Sequence, residues 1–411
     1  MVEGHEHLNI IVDTILKGLD KLPASLGDRL KKDFVMLKEL VLKSRPPRIL
    51  ILGRRGAGKS SLVNAIFGTR VASVGSVISE TGTPSWHHYD SSSGSLHVLD
   101  TRGLGDLTKP ESSNFEDALD DIKCAVDETM PDAILFLCKA KDVDARIAED
   151  IENISDIRAF IQEKHDYDIP AIATVTQVDE LDPKREEPPY QSSTKKKNIK
   201  DSVAAIFKAL HDANIPLTKV IPVSAYAEYE GDVRTYDNFW NIDVLVEYMV
   251  NILPTCTHLT LARLSKIKKL QRKTARILIN TTAAICAGLA ATPVPVADII
   301  PITMTQITMT MGIGFISGRE LSRPTALEFL SAIGVNISLG VGFRELARAM
   351  VKWVVSVGGL MISAAVAYSG TYAIGESAIA YFIDDRSVEE AKRIHNEEKK
   401  KRKKEYEAEN K

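Results

Sequence analysis

The chain has 411 residues, with 52 Lys and Arg against 55 Asp and Glu, giving a net charge of -3 with histidine neutral. That balance excludes a globally basic nucleic-acid coat, and a hydrophobic share of 44% excludes a wholly disordered chain. Cys124, Cys138, Cys256 and Cys286 stand far apart without a CxxC pair, which excludes a disulfide framework and a clustered zinc site and points to a reducing compartment.

Residues 1–46 carry two amphipathic helical patterns, broken near Pro23. Leu8, Ile11, Ile15 and Leu19 share one face; Leu30, Phe34, Leu37 and Val41 share another. The N-terminus mixes charge with apolar residues, so a signal peptide is not expected. Pro46-Pro47 ends the second helix. Residues 47–254 then alternate short apolar runs with helical stretches. The runs are RILIL (48–52), LHVL (96–99), AILFLC (133–138), AIATVT (171–176) and KVIPVS (219–224). Helices are expected near 60–67, 116–128, 146–163, 199–211 and 240–252. This alternation predicts an α/β domain with a mostly parallel sheet. The segment 181–197, Pro-rich and charged, reads as a surface loop.

Residues 255–385 read as an all-α apolar domain. It opens on a basic stretch with Arg263, Lys266, Lys268, Lys269, Arg272, Lys273 and Arg276. Between Ile277 and Gly318 the only charge is Asp298, and between Trp353 and Ile383 it is Glu376. Both stretches are long enough to span a bilayer, although Thr, Ser and Gly are frequent. Pro293, Pro295 and Pro301 would fold the first into a hairpin. Residues 386–411 form a charged tail, helical or disordered, with KKKRKK at 399–404. The basic flanks suggest anionic headgroups as partners.

The strongest motif is GRRGAGKS, from Gly53 through Arg54, Arg55, Gly56, Ala57, Gly58 and Lys59 to Ser60, followed by Ser61. It fits G-x-x-x-x-G-K-[ST] between an apolar run and a helical pattern. Glycines there allow backbone N–H groups to converge on phosphate oxygens; Lys59 adds a cation and Ser60 a hydroxyl for Mg2+. LHVLDTRG places Asp100 at a strand end, suited to Mg2+, and Gly103 where an amide can approach a γ-phosphate. In AIATVTQVDELD, Thr176, Gln177 and Asp179 follow a strand, and the Asp179 carboxylate can accept two hydrogen bonds from guanine that adenine does not offer. Ser224-Ala225 ends another strand, where a backbone N–H can meet the guanine carbonyl.

In this order the four boxes resemble the GTPases of the translation-factor class, and GRRGAGKSSLVNAIFG resembles their Era and septin-like branch. The resemblance covers about Arg48 to Pro254. It implies GTP as substrate, Mg2+ as cofactor, and a switch-loop threonine on Mg2+, for which Thr81 and Thr83 are the candidates and Thr81 has the family spacing. Lys59, Thr81, Gly103 and an arginine finger at Arg55 are the implied catalytic set. Three positions depart from the family: Gln177 replaces the lysine of the base box, Leu104 stands where some relatives orient water with Gln, and Gly56 replaces the Asn of potassium-activated relatives. Slow hydrolysis, completed by self-association of the GTPase domain, is the resulting expectation.

The stretch ATPVPVADIIPITMTQ resembles a poorly characterised helical domain that follows Era-like G domains in bacteria, over roughly 260–383. That resemblance implies membrane association, and a water-soluble bundle whose central helices are buried all round stays open beside it. The cysteine usage points to a cytoplasmic location, and the lack of a basic GxxG pattern in this half predicts no specific nucleic-acid partner. Two alternatives stay open: a septin-like assembly scaffold that holds nucleotide with little turnover, and an Era-like assembly factor.

Overall fold

The computed structural model describes residues 24–72, 85–91, 94–100, 118–143, 147–216, 219–231, 233–290, 299–320, 323–335 and 364–409. Two compact units result. One comprises Pro46–Pro254 with Leu264–Lys266; the other joins Met1–Arg45, Thr255–Arg263 and Ile267–Lys411.

In the α/β unit, β1 (Arg48–Gly53), β4 (Ala133–Lys139) and β5 (Ala171–Thr176) are buried along almost their whole length. Uninterrupted apolar runs of this kind need cover on both faces, as a parallel sheet provides. The remaining strands are β2 (Ser85–Ser91), β3 (Gly94–Asp100) and β6 (Val220–Pro222). The sheet order is β2-β3-β1-β4-β5-β6, with β2 antiparallel to β3 and every other pair parallel. The helices are α2 (Lys59–Phe67), α3 (Ala118–Glu128), α4 (Ile147–His165), α5 (Ser193–Asp212) and α6 (Ile242–Ile252). Ile154, Ile157 and Ile161 of α4 and Ile206 and Leu210 of α5 join Leu50, Phe136 and Val175 of the strands in one core.

The spacing between Lys59 and Asp100 leaves room for one further strand, with His87 and His88 as surface or sheet-edge residues, and SWHHYDS forms that edge strand β2, anchored where the Trp86 indole N–H donates to the Ala125 carbonyl at 3.0 Å. A hairpin, β7 (Ala227–Glu230) with β8 (Val233–Asp237), was not expected. Both lack the continuous apolar run of a covered strand; β8 is exposed throughout. The expected loop 181–197 needs correction too, because α5 begins at Ser193.

In the helical unit, α1 (Ala24–Leu37) continues into one π-helical turn, Lys38–Leu42. The chain returns through α7 (His258–Ser265), which begins in this unit, α8 (Lys268–Ala290), α9 (Ile299–Ile316), α10 (Arg323–Ala332), α11 (Ala364–Ala378) and α12 (Val388–Glu409). Helix α8 packs against α1, α9 and α11, and α11 packs on α12. The expected N-terminal helix over 8–19 and the Pro293–Asp298 corner lie outside the described residues.

Close packing explains the small residues. A Cβ on Gly375 would fall 2.3 Å from Ile279 Cγ1, so only glycine lets α11 approach α8 there. Buried hydroxyls turn onto their own helices: Thr282 donates to the Leu278 carbonyl at 2.7 Å and Thr308 to that of Met304 at 3.0 Å. Between helices, Gln306 Nε2 donates to Thr371 Oγ1 at 2.9 Å.

The basic stretch is largely used within this unit. Lys268 pairs with Asp385 at 3.0 Å, Arg272 with Asp384 at 2.7 Å and Arg276 with Glu376 at 3.1 Å. Spaced four residues apart on α8, these cations share one face. Arg263 donates to the Phe315 carbonyl at 3.2 Å and lies 4.4 Å from that residue's ring centroid. Among the described residues, no helix is long and apolar enough to cross a membrane.

Candidate nucleotide site

Strand β1 ends at Gly53, and the loop turns into α2 at Lys59. Gly56 and Gly58 hold φ values of 75° and 87°, in the left-handed region that side chains strain against, and Gly58 caps α2. The first amides of α2 lack helical acceptors, so the helix start offers donors and a positive dipole end to an anion. Ser60 and Ser61 lie in that first turn, half-buried. Lys59 Nζ donates to the Gly53 carbonyl at 2.9 Å, which keeps the ammonium at the entry of the loop. The Ala57 amide closes a turn onto the Arg54 carbonyl at 3.0 Å.

The C-terminal ends of β4, β5 and β6 complete one corner, where ligands of such sheets bind. The Thr176 hydroxyl donates to the Ala57 carbonyl at 2.8 Å, which locks β5 to the loop. Gln177, at φ 56°, donates from Nε2 to the Gly56 carbonyl at 2.6 Å. An amide thus ties the end of β5 to the loop. Two residues on, Asp179 Oδ1 accepts from the Ser224 hydroxyl at 2.9 Å. The Ser224 backbone N–H is already given to the Trp240 carbonyl at 3.2 Å. Of the Ser224-Ala225 pair, the Ser224 hydroxyl therefore orients the carboxylate.

Residues 48–177 match the family model described as 50S ribosome-binding GTPase. This chain carries a P-loop GTPase domain. Residues 256–404 match a second model, a domain of unknown function named DUF697. The tRNA modification GTPase MnmE of Shewanella loihica is 33% identical over 135 residues, 32% of this chain and 28% of that protein. MnmE of Vibrio vulnificus is 33% identical over 105 residues, 25% of this chain and 22% of that protein. The chain thus spans under a third of the length of these curated relatives. Among solved structures, Era with MgGDPNP and a piece of 16S ribosomal RNA aligns at TM-score 0.34 and 22% identity, covering 51% of this chain and 58% of that one. Toc33 from Arabidopsis thaliana with Mg2+ and GMPPNP aligns at TM-score 0.34 and 15% identity, covering 56% and 93%.

In the GTPase domain, strand register places Asp100 beside Ile51, two residues before the loop begins. Thr81, Thr83, Gly103 and Leu104 lie outside the described residues. His87 and His88 sit on edge strand β2, His88 stacked on His97 with centroids 4.0 Å apart. No group of three His, Cys, Asp or Glu side chains that could hold a metal occurs among the described residues.

The two loop arginines differ. Arg55 is exposed. Arg54 is turned toward α4, with Nε 2.9 Å from Asp150 Oδ2 and Nη2 3.0 Å from Glu149 Oε2. Burial raises the pKa of Asp150, and the Arg54 guanidinium opposes that rise. Arg54 thus contributes its backbone to the GTPase loop while its side chain anchors the loop on α4. The neighbouring Cys138 thiol is pushed up to about 12 by burial, so it is no nucleophile.

Sequence reasoning also missed Lys195, which is 0% exposed. Its ammonium donates to the carbonyls of Asp179 at 2.8 Å, Leu181 at 2.5 Å and Pro183 at 3.5 Å, and lies 4.8 Å from the centroid of Tyr190. Burial lowers its pKa, while Asp179, Glu186 and Asp182 pull the other way. The loop that follows β5 is therefore wrapped around a buried cation. A buried lysine inside KKK (195–197) carries no local signal, because such runs usually face water.

Proposed function

We propose that the GTPase domain binds GTP with Mg2+, hydrolyses it to GDP, and couples the ordering of its switch loops to the helical unit. The observation that carries this is the join between base box and P-loop. Gln177 is bonded to Gly56 and Asp179 is oriented by Ser224, so guanine recognition and phosphate binding are built on one frame. Lys59, Ser60 and Asp100 would hold the phosphates and Mg2+, and Thr81 or Thr83 would close over them.

Turnover by the isolated chain is slow in this proposal. Leu104 brings no polar group, and the Arg54 side chain is engaged by Glu149 and Asp150. A missing finger alone is worth roughly 10³–10⁵ in rate. Self-association of GTPase domains is the favoured way to complete the site, with Arg55 as the arginine that could act. A membrane partner has less support. Lys268, Arg272 and Arg276 are spent inside the helical unit, and the tail lysines stand among acids, with Lys401 3.7 Å from Glu398 and Lys403 3.9 Å from Glu407.

The test is GTP and ATP affinity, followed by GTP turnover per molecule against protein concentration, with and without anionic liposomes. GTP preference and activity that rises with concentration are expected. Equal affinity for ATP and GTP would overturn the base-box assignment. Fast turnover that is constant on dilution would overturn the assisted site.

A further inference from the structure

Beside the P-loop stands a cation that none of the four boxes contains. Lys139 is the last residue of β4, and its register partner on β5 is Thr176. The same corner holds the bonds from Thr176 to Ala57 and from Gln177 to Gly56. The Lys139 side chain runs into it. Its Nζ lies 3.2 Å, and its Cε 3.5 Å, from the point that a Cβ on Gly56 would occupy. The ammonium fills the space that a side chain at position 56 would take.

Its charge is lightly held. The partner is Asp142, 3.5 Å from Nζ and itself 49% exposed, and the Lys139 side chain is 29% exposed. Two other cations of the corner are more firmly engaged. Lys59 is bonded to the Gly53 carbonyl, and Arg54 is bonded to Glu149 and Asp150. A compact ammonium on a flexible stem, loosely paired on an exposed face, can turn toward an arriving anion.

We propose that Lys139 binds the phosphates of the nucleotide as a second ammonium beside Lys59. The inference rests on the nucleotide-binding proposal above. Gly56 has no side chain with which to recruit a cation, and β4 brings one to the same place from another strand. With an effective dielectric near 20, as suits a pair at a protein surface, one charge acting on a polyphosphate over several ångströms changes binding about 10- to 100-fold.

The test uses the full chain and measures GDP affinity with Mg2+ by calorimetry from low to high KCl, for wild type, Lys139→Met and Lys139→Arg. Lys139→Met should bind GDP about 10- to 100-fold more weakly at low salt, with a shallower dependence of log Kd on log salt. Lys139→Arg should stay within a few-fold of wild type. Without nucleotide both should melt with wild type, since an exposed ion pair contributes little. Unchanged GDP affinity in Lys139→Met overturns the proposal. So does a loss that is the same at every salt concentration, or one that Lys139→Arg fails to restore, because either marks a steric rather than an electrostatic role. If wild type binds no guanine nucleotide, it is the underlying nucleotide-binding proposal that fails; if wild type binds and Lys139→Met matches it, only Lys139 is wrong.

Discussion

Replacing Lys195 by Met keeps the aliphatic stem and removes the ammonium from inside the loop that follows β5. Three carbonyls then lose their donor: those of Asp179 and Leu181, both partly buried, and that of Pro183, which is exposed. The bonds to Asp179 at 2.8 Å and Leu181 at 2.5 Å are good; the one to Pro183 at 3.5 Å is long and adds little. A hydrogen bond to a charged group is worth about 1.5–3 kcal/mol, so the two good ones sum to about 3–6 kcal/mol. Relief of the buried charge returns part of this, which leaves a net cost of about 2–4 kcal/mol. At about 2–4 °C per kcal/mol for a unit of this size, melting should fall by roughly 5–15 °C. The assay is thermal unfolding of the full chain, paired with GDP affinity. Binding should weaken as well, because the Asp179 backbone is one of the groups released. Lys195→Arg should not rescue, since a planar guanidinium does not match a pocket shaped for a compact ammonium. A Lys195→Met protein that melts within a degree of wild type and binds GDP equally would refute this account of the loop.

Asp179→Asn exchanges an acceptor for a donor, so GTP affinity should drop and xanthosine triphosphate should gain, read by competition binding. Gly375→Ala would drive a Cβ to 2.3 Å from Ile279 Cγ1, and overpacking of this kind costs about 1–3 kcal/mol; denaturant unfolding of the helical unit should move to a lower midpoint. His395, 8% exposed, has its imidazole pKa held below the ordinary 6.5 by burial, assisted by Lys399. The unfolded chain therefore takes up the proton first. Stability from this residue is complete above about pH 6.5 and declines as pH falls below it. Unfolding titrations from pH 8 to 5 should show that decline, flattened in His395→Gln.

Burial governs how much of this was legible in the sequence. Strands β1, β4 and β5 are covered on both faces, so their apolar runs stand out, and the boxes that follow β1 and β5 are found at once. The pairing of Gln177 with Gly56 and of Ser224 with Asp179 was not legible: sequence names the residues but not which hydrogen bonds their backbones have already spent. The basic stretch 263–276 suggested headgroups because its partners, Glu376, Asp384 and Asp385, lie 100, 112 and 117 positions later. Lys139 was passed over as the polar end of an apolar run, since what distinguishes it is the absence of a side chain across from it at Gly56.

The helical unit is made from both sides of the GTPase domain, and this bears on how the protein can be taken apart. The Arg45 amide donates to the Cys256 carbonyl at 2.9 Å, so the chain leaves the unit and re-enters it at one point, like a loop pinched at its neck. A fragment starting at Thr255 would lack α1, whose Leu30, Phe34 and Leu37 are buried. It would expose the apolar surface those side chains cover and aggregate or bind detergent whatever its native habitat. Excising the middle and joining Arg45 to Thr255 through a short linker is the cut that respects the architecture. During synthesis the order is fixed likewise: α1 emerges first and must wait, unpartnered, through the whole GTPase domain before α8 arrives to receive it.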